Sequence, residues 1–180
     1  MGNKKILMEV GVGEVFKVAG IEFVKFYDEN GQTVAVAKDS LFTDVFGANN
    51  NFAASNILKR LNEEVLPKVV AEVGEENVVE HEVDLLSLDG SDKWGKVNCK
   101  ISIPTFDFYR KHVKVFDKHK PSSWWWLATP DTTTDHYDCD YWVSCVAPSG
   151  YMCNYFSNFS NYGVRPFLIF VSSISVSCEE

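Results

Sequence analysis

The sequence predicts a mixed α+β domain, and three observations lead to that prediction. Two strand-like runs flank Asn30-Gly31, a helical pattern follows Ser55, and strand-like segments recur from Trp124 onward. A chain of 180 residues is most simply one domain, spanning residues 1–180, and can bury about 70% of the surface that its unfolded form exposes. No internal repeat and no linker rich in Pro, Gly or Ser divides it.

The first predicted element is a β-hairpin. In IEFVKFYDENGQTVAVAKD, two runs rich in β-branched and aromatic residues surround Asn30-Gly31. This dipeptide tolerates the positive φ angles of a tight hairpin turn. We therefore expect two antiparallel strands here.

A helix is predicted after Ser55, which is a typical N-cap residue. The apolar residues that follow have helical spacing and are Ile57, Leu58, Leu61 and Val65. Pro67 should end or kink this helix, because proline lacks the N–H that a helix requires.

A second, shorter helix is predicted at TFDFYRKHV. Thr105 is the expected N-cap, and Asp107 lies near the positive end of the helix dipole. The intervening segment VGEENVVEHEVDLLSLDGSDKWGKVNC is interpreted as irregular, with turns at Asp89-Gly90 and Trp94-Gly95.

The C-terminal third is predicted to form strands. In WWWLATP, a side-chain period of two sends Trp124 and Trp126 to one face and Trp125 to the other, which implies an internal strand. YWVSCV is interpreted as the next strand and residues 148–150 as its turn. GVRPFLIFV is interpreted as a third apolar strand that closes the chain.

The segment 135–161, DHYDCDYWVSCVAPSGYMCNYFSNFSN, has an unusually restricted composition. It contains no Lys, Arg, Glu, Gln, Leu or Ile, although Lys, Glu, Leu and Ile are common elsewhere in the chain. It is nevertheless rich in Tyr and Phe, whereas disordered segments are poor in aromatic residues. The composition therefore requires an explanation other than disorder.

Several motifs resemble those of a bacterial and phage domain family with a C-type lectin-like fold. WWWLATP, the turn from Val146 to Gly150 and the closing GVRPF are similar to its WWLRSP…V…G…GVRP signature, and NFAASNILKRLN is similar to its helix pattern. The resemblance extends from about Val15 to Phe170, and only its C-terminal third is specific. It implies a C-type lectin-like fold with small twisted antiparallel sheets, two helices and a loop-rich C-terminal third. Ala128 replaces the arginine of the signature, so no role of that arginine carries over.

The restricted segment also resembles the variable proteins of diversity-generating retroelements, which belong to this fold group. In those proteins, adenine-directed mutagenesis of AAC or AAT codons yields Asn, Asp, His, Tyr, Ser, Cys, Phe or Thr, but never Lys, Glu, Gln, Met or Trp. DHYDCDY and CNYFSNFSN fit that alphabet. The resemblance implies a variable region at about 131–161. The interruptions are then unaltered scaffold positions, namely Trp142, Val143, Val146, Ala147, Pro148, Gly150 and Met152.

A diversified surface of this composition is suited to binding, because Tyr, Ser and Asn are the residues that dominate antibody paratopes. Gly163, for a turn, and Arg165, as a buried or half-buried clamp, are expected to brace it. No enzymatic activity, catalytic residue, cofactor or metal is expected. The predicted ligand-binding residues are Asp135, His136, Tyr137, Asp138, Asp140, Tyr141, Tyr151, Asn154, Tyr155, Phe156, Ser157, Asn158, Phe159 and Asn161.

The expected partner is a protein or glycan ligand on a cell surface. The chain itself is expected on a phage tail or a bacterial cell surface, where it would act as a receptor-binding adhesin. The net charge of −8 argues against non-specific binding to nucleic acid or anionic membrane. No segment approaches the roughly 20 apolar residues of a membrane span, and no signal peptide is evident. An oligomer is compatible with the sequence.

Alternative functions stay open. One is a non-diversified lectin-like domain that binds carbohydrate or protein. A second is a relative of formylglycine-generating oxidases that uses Cys139 and Cys145. A third is a calcium lectin that uses Asp135, Asp138 and Asp140, although the Glu-Pro-Asn, Gln-Pro-Asp and Trp-Asn-Asp motifs of sugar-binding calcium sites are absent.

The remaining cysteines and histidines suggest no site. The five cysteines show no CxxC spacing, so free thiols are expected rather than a zinc site or a disulfide framework. His81, His112 and His119 are interpreted as solvated side chains among charged neighbours.

Overall fold

The computed structural model describes residues 3–178, so the predicted domain limits, 1 and 180, lie outside the described residues. It has an α+β fold dominated by antiparallel sheets, as the sequence predicts. The strands are β1 Asn3–Ile6, β2 Val15–Val18, β3 Ile21–Glu29, β4 Gln32–Ala37, β5 Phe42–Thr43, β6 His81–Asp84, β7 Lys96–Cys99, β8 Ile101–Ser102, β9 Trp125–Pro130, β10 Trp142–Val146, β11 Met152–Phe156, β12 Gly163–Val164, β13 Phe167–Val171 and β14 Ser175–Cys178.

These strands form three sheets. The larger sheet has the order β1-β14-β2-β3-β4-β13-β8, and a five-stranded sheet has the order β11-β10-β9-β12-β5. Strands β6 and β7 form a separate two-stranded ribbon. The sheets are antiparallel except where β12 runs parallel to β9.

The predicted hairpin is confirmed. Strands β3 and β4 are joined by Asn30 and Gly31, and Glu29 pairs with Gln32. Asn30 has a φ of 51° and Gly31 a φ of 75°. Asparagine and glycine are the residues that adopt this left-handed conformation at least cost.

The helix after Ser55 is confirmed, but it does not end at Pro67. Helix α1, Asn56–Arg60, begins where the Ser55 hydroxyl group accepts a hydrogen bond from the N–H of Leu58 at 3.0 Å. A π-helical turn at Leu61–Val65 then leads into α2, Leu66–Val73. In a regular α-helix the Pro67 ring would clash with the carbonyl group four residues earlier. The wider π turn just before Pro67 provides the irregularity that allows the helix to continue.

The second predicted helix is confirmed as α3, Phe106–Lys111, and a short helix α4, Val113–Phe116, follows it. The Thr105 hydroxyl group caps α3 by accepting a hydrogen bond from the N–H of Phe108.

The segment between the helices is not irregular throughout, so that interpretation was wrong. It contains the ribbon of β6 and β7, in which His81 pairs with Cys99 and Asp84 with Lys96. In β6 only Val83 is buried, and the surrounding charged residues conceal the alternation in the sequence.

The first tryptophan strand is confirmed as β9, and all of its residues are buried. Trp126 packs in an apolar cluster with Phe16, Phe23 and Phe170 of the larger sheet. Trp125 packs in a second cluster with Phe116. The two tryptophans therefore serve opposite faces of the five-stranded sheet, as the period of two predicts.

The prediction of one closing strand at GVRPFLIFV was wrong. Strand β12 belongs to the five-stranded sheet and β13 to the larger sheet, and the chain crosses between them at Arg165-Pro166. Pro166 has no N–H to donate to a ladder, so a continuous strand is disfavoured there. The last described strand is β14, which pairs with β1.

None of the helices among residues 3–178 has the length and apolar character that a membrane crossing would need.

Candidate ligand-binding surface

Most of the predicted binding residues lie at the surface. Asp140 and Phe159 are partly buried, and Ser157 is buried. The other eleven are exposed, namely Asp135, His136, Tyr137, Asp138, Tyr141, Tyr151, Asn154, Tyr155, Phe156, Asn158 and Asn161.

The predicted scaffold positions show the opposite distribution, because none of them is exposed. Val143, Val146 and Ala147 are buried. The remaining four, Trp142, Pro148, Gly150 and Met152, are partly buried. Within segment 135–161, the predicted binding residues are therefore mostly exposed, and the predicted scaffold residues are buried or partly buried.

Strand β11, which was not predicted from the sequence, organises this surface. It forms the outer edge of the five-stranded sheet and pairs with β10 over five residue pairs, from Trp142 with Phe156 to Val146 with Met152. Pleating sends alternate side chains to opposite faces. The predicted surface thus consists of an edge strand and the loops beside it. The two faces of this strand carry different sets of aromatic side chains.

On one face an aromatic stack is exposed to solvent. The rings of Trp142 and Phe156 are stacked with their centroids 4.2 Å apart, and Tyr141 stacks on Phe156 at 5.7 Å. Stacking of aromatic rings stabilises such pairs beyond the area they bury. Trp142 thereby holds two predicted binding residues in place.

On the other face the aromatic residues continue into the core. The Tyr155 ring lies 4.7 Å from Phe159 and 5.3 Å from Tyr162. Tyr162 is buried and packs against Trp126 at 4.7 Å. Tyr155 is therefore partly supported by the core, whereas Tyr151, at 67% exposure, is not.

Asn50 anchors the loop that precedes β10, and sequence analysis did not identify it. Its buried amide nitrogen donates hydrogen bonds to the carbonyl groups of Thr132 at 2.6 Å and Trp142 at 2.9 Å. Its amide oxygen accepts one from the indole N–H of Trp94 at 2.9 Å. Its backbone N–H donates to the carbonyl group of Asp140. One side chain thus ties both ends of the loop to a distant turn.

Asp89 provides a second anchor for the same loop. Its carboxylate accepts hydrogen bonds from the N–H groups of Ser91 and Thr133 and lies 3.4 Å from Nδ1 of His136. Burial alone would raise the pKa of Asp89, but the hydrogen bonds from Ser87, Ser91 and Thr133, together with the charge interaction with His136, outweigh it and lower the pKa. The predicted binding residue His136 is therefore placed by a group outside the predicted variable region.

Ser157 is a correction to the predicted surface, because only 2% of it is exposed. Its carbonyl group accepts hydrogen bonds from the N–H groups of Phe46 and Gly47, and its own N–H donates to the carbonyl group of Tyr141. These hydrogen bonds involve only the backbone of residue 157, so they would keep any residue at this position buried. Ser157 attaches the end of β11 to the body of the protein.

The two expected bracing residues are buried, but Gly163 does not form a turn. It lies in β12, and a Cβ atom there would come within 3.0 Å of the Ser40 side chain and 3.3 Å of the Trp124 carbonyl oxygen. Close packing, not a turn, is the reason for glycine. Arg165 is 1% exposed, donates from Nε to the Ala37 carbonyl group at 2.9 Å, and lies over the Trp125 ring.

A separate cavity of about 470 Å³ lies between the ribbon and α3. Phe106, Phe108 and Phe167 line it together with a hydrogen-bonded pair, His81 and Ser102, whose Nε2 and Oγ atoms are 2.8 Å apart. Burial lowers the pKa of His81 to about 4, so its imidazole is neutral at pH 7. The interpretation of His81 as solvated was wrong, because its ring packs against Phe167 and its Nε2 atom lies beside the Ser102 hydroxyl group.

The other two histidines are also partly buried rather than freely solvated. His112 stacks on the Tyr27 ring, and the Nε2 atom of His119 lies 2.8 Å from the Gly13 carbonyl oxygen.

No group of His, Cys, Asp and Glu side chains within residues 3–178 is arranged to hold a metal ion. Asp135 lies within hydrogen-bonding distance of the Ser91 hydroxyl group. The cysteines are free thiols. Cys145 contacts Cys153, whereas Cys139 contacts Thr132.

Comparisons with known proteins identify no relative: no family model, curated protein or solved structure matches the chain.

Proposed function

We propose that this chain is the ligand-binding variable protein of a diversity-generating retroelement, built on a C-type lectin-like scaffold. It displays a diversified surface that binds a protein or glycan on a cell surface, as a phage receptor-binding adhesin or a bacterial surface protein does. It is not an enzyme, and its binding residues require no cofactor or metal.

The observation that carries the proposal is the division of segment 135–161 by exposure. Eleven of the fourteen predicted variable residues are exposed, and none of the seven predicted scaffold positions is. Mutagenesis can change exposed residues at little cost, because surface substitutions usually alter stability by about 0.5 kcal/mol or less. Substitutions at buried positions would instead disturb the core.

The chemistry of the exposed residues supports recognition rather than catalysis. Tyr137, Tyr141, Tyr151 and Tyr155 offer large, rigid and amphipathic contact areas, and Asn154 and Asn158 are among the adaptable hydrogen-bonding groups beside them. Such residues suit many partners, because they form both apolar contacts and hydrogen bonds. Affinity would be concentrated in a few aromatic side chains near the centre of the contact.

The first alternative is a binding domain of the same fold that is not diversified. It has the same exposed aromatic surface. The two hypotheses therefore differ only in whether the gene segment is diversified, and not in the expected structure. The oxidase hypothesis would require Cys139 and Cys145 to act together, and their sulfur atoms contact different residues.

The decisive test of diversification is genomic. We expect a second, near-identical copy of the DNA encoding residues 135–161 beside a reverse transcriptase gene, with differences confined to adenines of the template. Codons for the seven scaffold positions should be identical in both copies. A complete locus without such a copy would favour the alternative.

The test of binding is an exchange of residues 135–141 and 153–161 between two chains that share the scaffold, with Ser157 retained in both. Specificity should travel with the exchanged segments when each hybrid is tested against both ligands. The matched control exchanges residues 142–150 instead and should leave specificity unchanged. Specificity that stays with the scaffold would overturn the proposal.

A further inference from the structure

Two cysteines face each other beneath the candidate surface. Cys145 of β10 and Cys153 of β11 are direct partners in the antiparallel register, and their sulfur atoms lie 2.8 Å apart. Direct antiparallel partners have Cα atoms about 4.5–5.5 Å apart, within the roughly 4.4–6.8 Å that a disulfide spans. The backbone therefore already has the spacing that a cross-link requires.

The other cysteines lack this arrangement. The sulfur atom of Cys139 lies 3.2 Å from the Thr132 hydroxyl oxygen. Cys99 pairs with His81 in the ribbon, and Cys178 pairs with Asn3 in the larger sheet. The arrangement thus favours one pairing among the ten that five cysteines allow.

We propose that Cys145 and Cys153 form a redox-active dithiol site that a small-molecule disulfide, such as glutathione disulfide, oxidises to an intramolecular cross-link. The Cys153 thiolate attacks one sulfur atom of the oxidant, forms a mixed disulfide and releases a glutathione thiolate. The Cys145 thiolate then attacks the Cys153 sulfur atom and releases the second glutathione. Two protein thiols lose two protons and two electrons, and one glutathione disulfide becomes two glutathione molecules.

Exposure sets the order of these steps. Cys153 is partly exposed, whereas Cys145 has no exposed surface. Burial raises the pKa of both thiols, and more strongly that of Cys145. Because the thiolate is the nucleophile, we expect Cys153 to react first and the whole exchange to be slow at neutral pH.

The cross-link would fix the edge strand to the sheet. Strand β11 carries Asn154, Tyr155 and Phe156, and β10 is its only neighbour in the sheet order of the described residues. Oxidation would therefore hold these three residues in place without changing any of them. The cross-link follows from strand geometry and does not depend on the proposed function.

The test uses the full chain, incubated at about pH 8.5 with either glutathione disulfide or reduced glutathione. Samples are then acid-quenched, denatured and treated with iodoacetamide. The oxidised chain should carry three alkyl groups instead of five, and peptide mapping should find Cys145 joined to Cys153. Dithiothreitol should restore five alkylated thiols, and the oxidised form should melt a few degrees higher.

Two variants serve as controls. Cys153→Ser should form no internal cross-link, and Cys99→Ser should form the same one as the parent chain. Cys153 is the better choice for replacement, because Cys145 is fully buried. Five alkylated thiols after oxidation, a glutathione adduct on Cys153 that never resolves, or a bond to Cys139 would each overturn the proposal.

Discussion

Asn50 shows how a single polar residue can organise a surface to which its own side chain does not contribute. It is fully buried, and its amide joins the turn at Trp94 to the carbonyl groups at both ends of the loop from Thr132 to Trp142. The amide nitrogen donates two hydrogen bonds and the amide oxygen accepts one, so both polar atoms of the side chain have partners. Buried polar groups left without a partner cost about 1–3 kcal/mol each.

Replacement of Asn50 by Ala should therefore lower the free energy of unfolding by about 3 kcal/mol, since it leaves the Trp94 indole N–H and the Thr132 carbonyl group without these partners, whereas the Trp142 carbonyl group keeps the Asp131 N–H. Denaturant unfolding measures the change. The matched control is Asn158→Ala, at an exposed position, which should cost about 0.5 kcal/mol or less. Equal effects at both positions would show that the buried amide does not organise the loop.

His81 links the stability of the fold to pH. Burial lowers its pKa from 6.5 to about 4, so between those values the unfolded chain binds a proton that the folded chain does not. The stability contributed by the neutral imidazole is complete above pH 6.5 and is lost as the pH falls towards 4. The shift corresponds to about 3 kcal/mol.

We expect His81→Asn to flatten the fall in unfolding free energy between about pH 6.5 and pH 4, as measured by urea unfolding at a series of pH values. His112, whose pKa burial also lowers, should account for part of the slope that remains. A variant with the parent chain's full pH dependence would show that His81 is not the titrating group.

At the scale of elements, β9 and β11 have contrasting roles. Strand β9 is central and buried along its whole length, whereas β11 is an edge strand with three exposed residues. Edge strands tolerate change more readily, because one of their sides packs against no neighbour. They also present unpaired backbone groups to other chains. Strand β11 contains neither Lys nor Pro, the residues that commonly protect an edge.

This contrast predicts that truncation of a side chain in β9 lowers the free energy of unfolding far more than truncation of an exposed side chain beside β11. Trp126→Ala should lower the free energy of unfolding by about 3–5 kcal/mol, because it leaves a large cavity and removes the hydrogen bond from the indole N–H to the Asp44 carbonyl group. Tyr151→Ala, just before β11, is the control and should cost about 0.5 kcal/mol or less. Thermal and chemical unfolding check both values. A Trp126→Ala variant that unfolds like the parent chain would contradict the assignment of β9 to the core.

The whole molecule separates a buried scaffold from an exposed layer of candidate binding residues. Two apolar clusters lie on opposite faces of the five-stranded sheet and bury Trp125 and Trp126. The candidate residues lie at the edge of that sheet and on the adjacent loops. Anchors that hold them, such as Asn50 and Asp89, come from outside segment 135–161. Under the proposed function, the scaffold can therefore stay constant while the surface residues change.

Simultaneous replacement of Tyr137, Asp138, Tyr151, Asn154 and Asn158 by Ser should leave a single cooperative unfolding transition and shift its midpoint by only a few degrees, because all five residues are exposed. Circular dichroism during heating checks this outcome. The control replaces Val143, Val146 and Ala147, all buried scaffold residues, by Ser and should abolish the transition. Loss of folding in the surface variant would place these side chains in the core and contradict the proposed function.

The sequence by itself determined the features that depend on near neighbours along the chain. The Asn30-Gly31 turn, the caps at Ser55 and Thr105, and the opposite orientation of Trp125 and Trp126 follow from local dihedral preferences and side-chain periodicity. The division of segment 135–161 into exposed and covered positions could likewise be predicted, because it follows the composition.

Only the tertiary structure decided which distant segments meet. Asn50 binds Thr132 and Trp142 across separations of 82 and 92 residues, and Asp89 binds Thr133 across 44. The change of sheet at Arg165-Pro166, the burial of Ser157 and His81, and the facing of Cys145 and Cys153 depend equally on strand pairing. Nothing local distinguishes Asn50 from the asparagines beside it. The partners of a polar side chain are fixed by the packing of the sheets, and that packing depends on the whole chain at once.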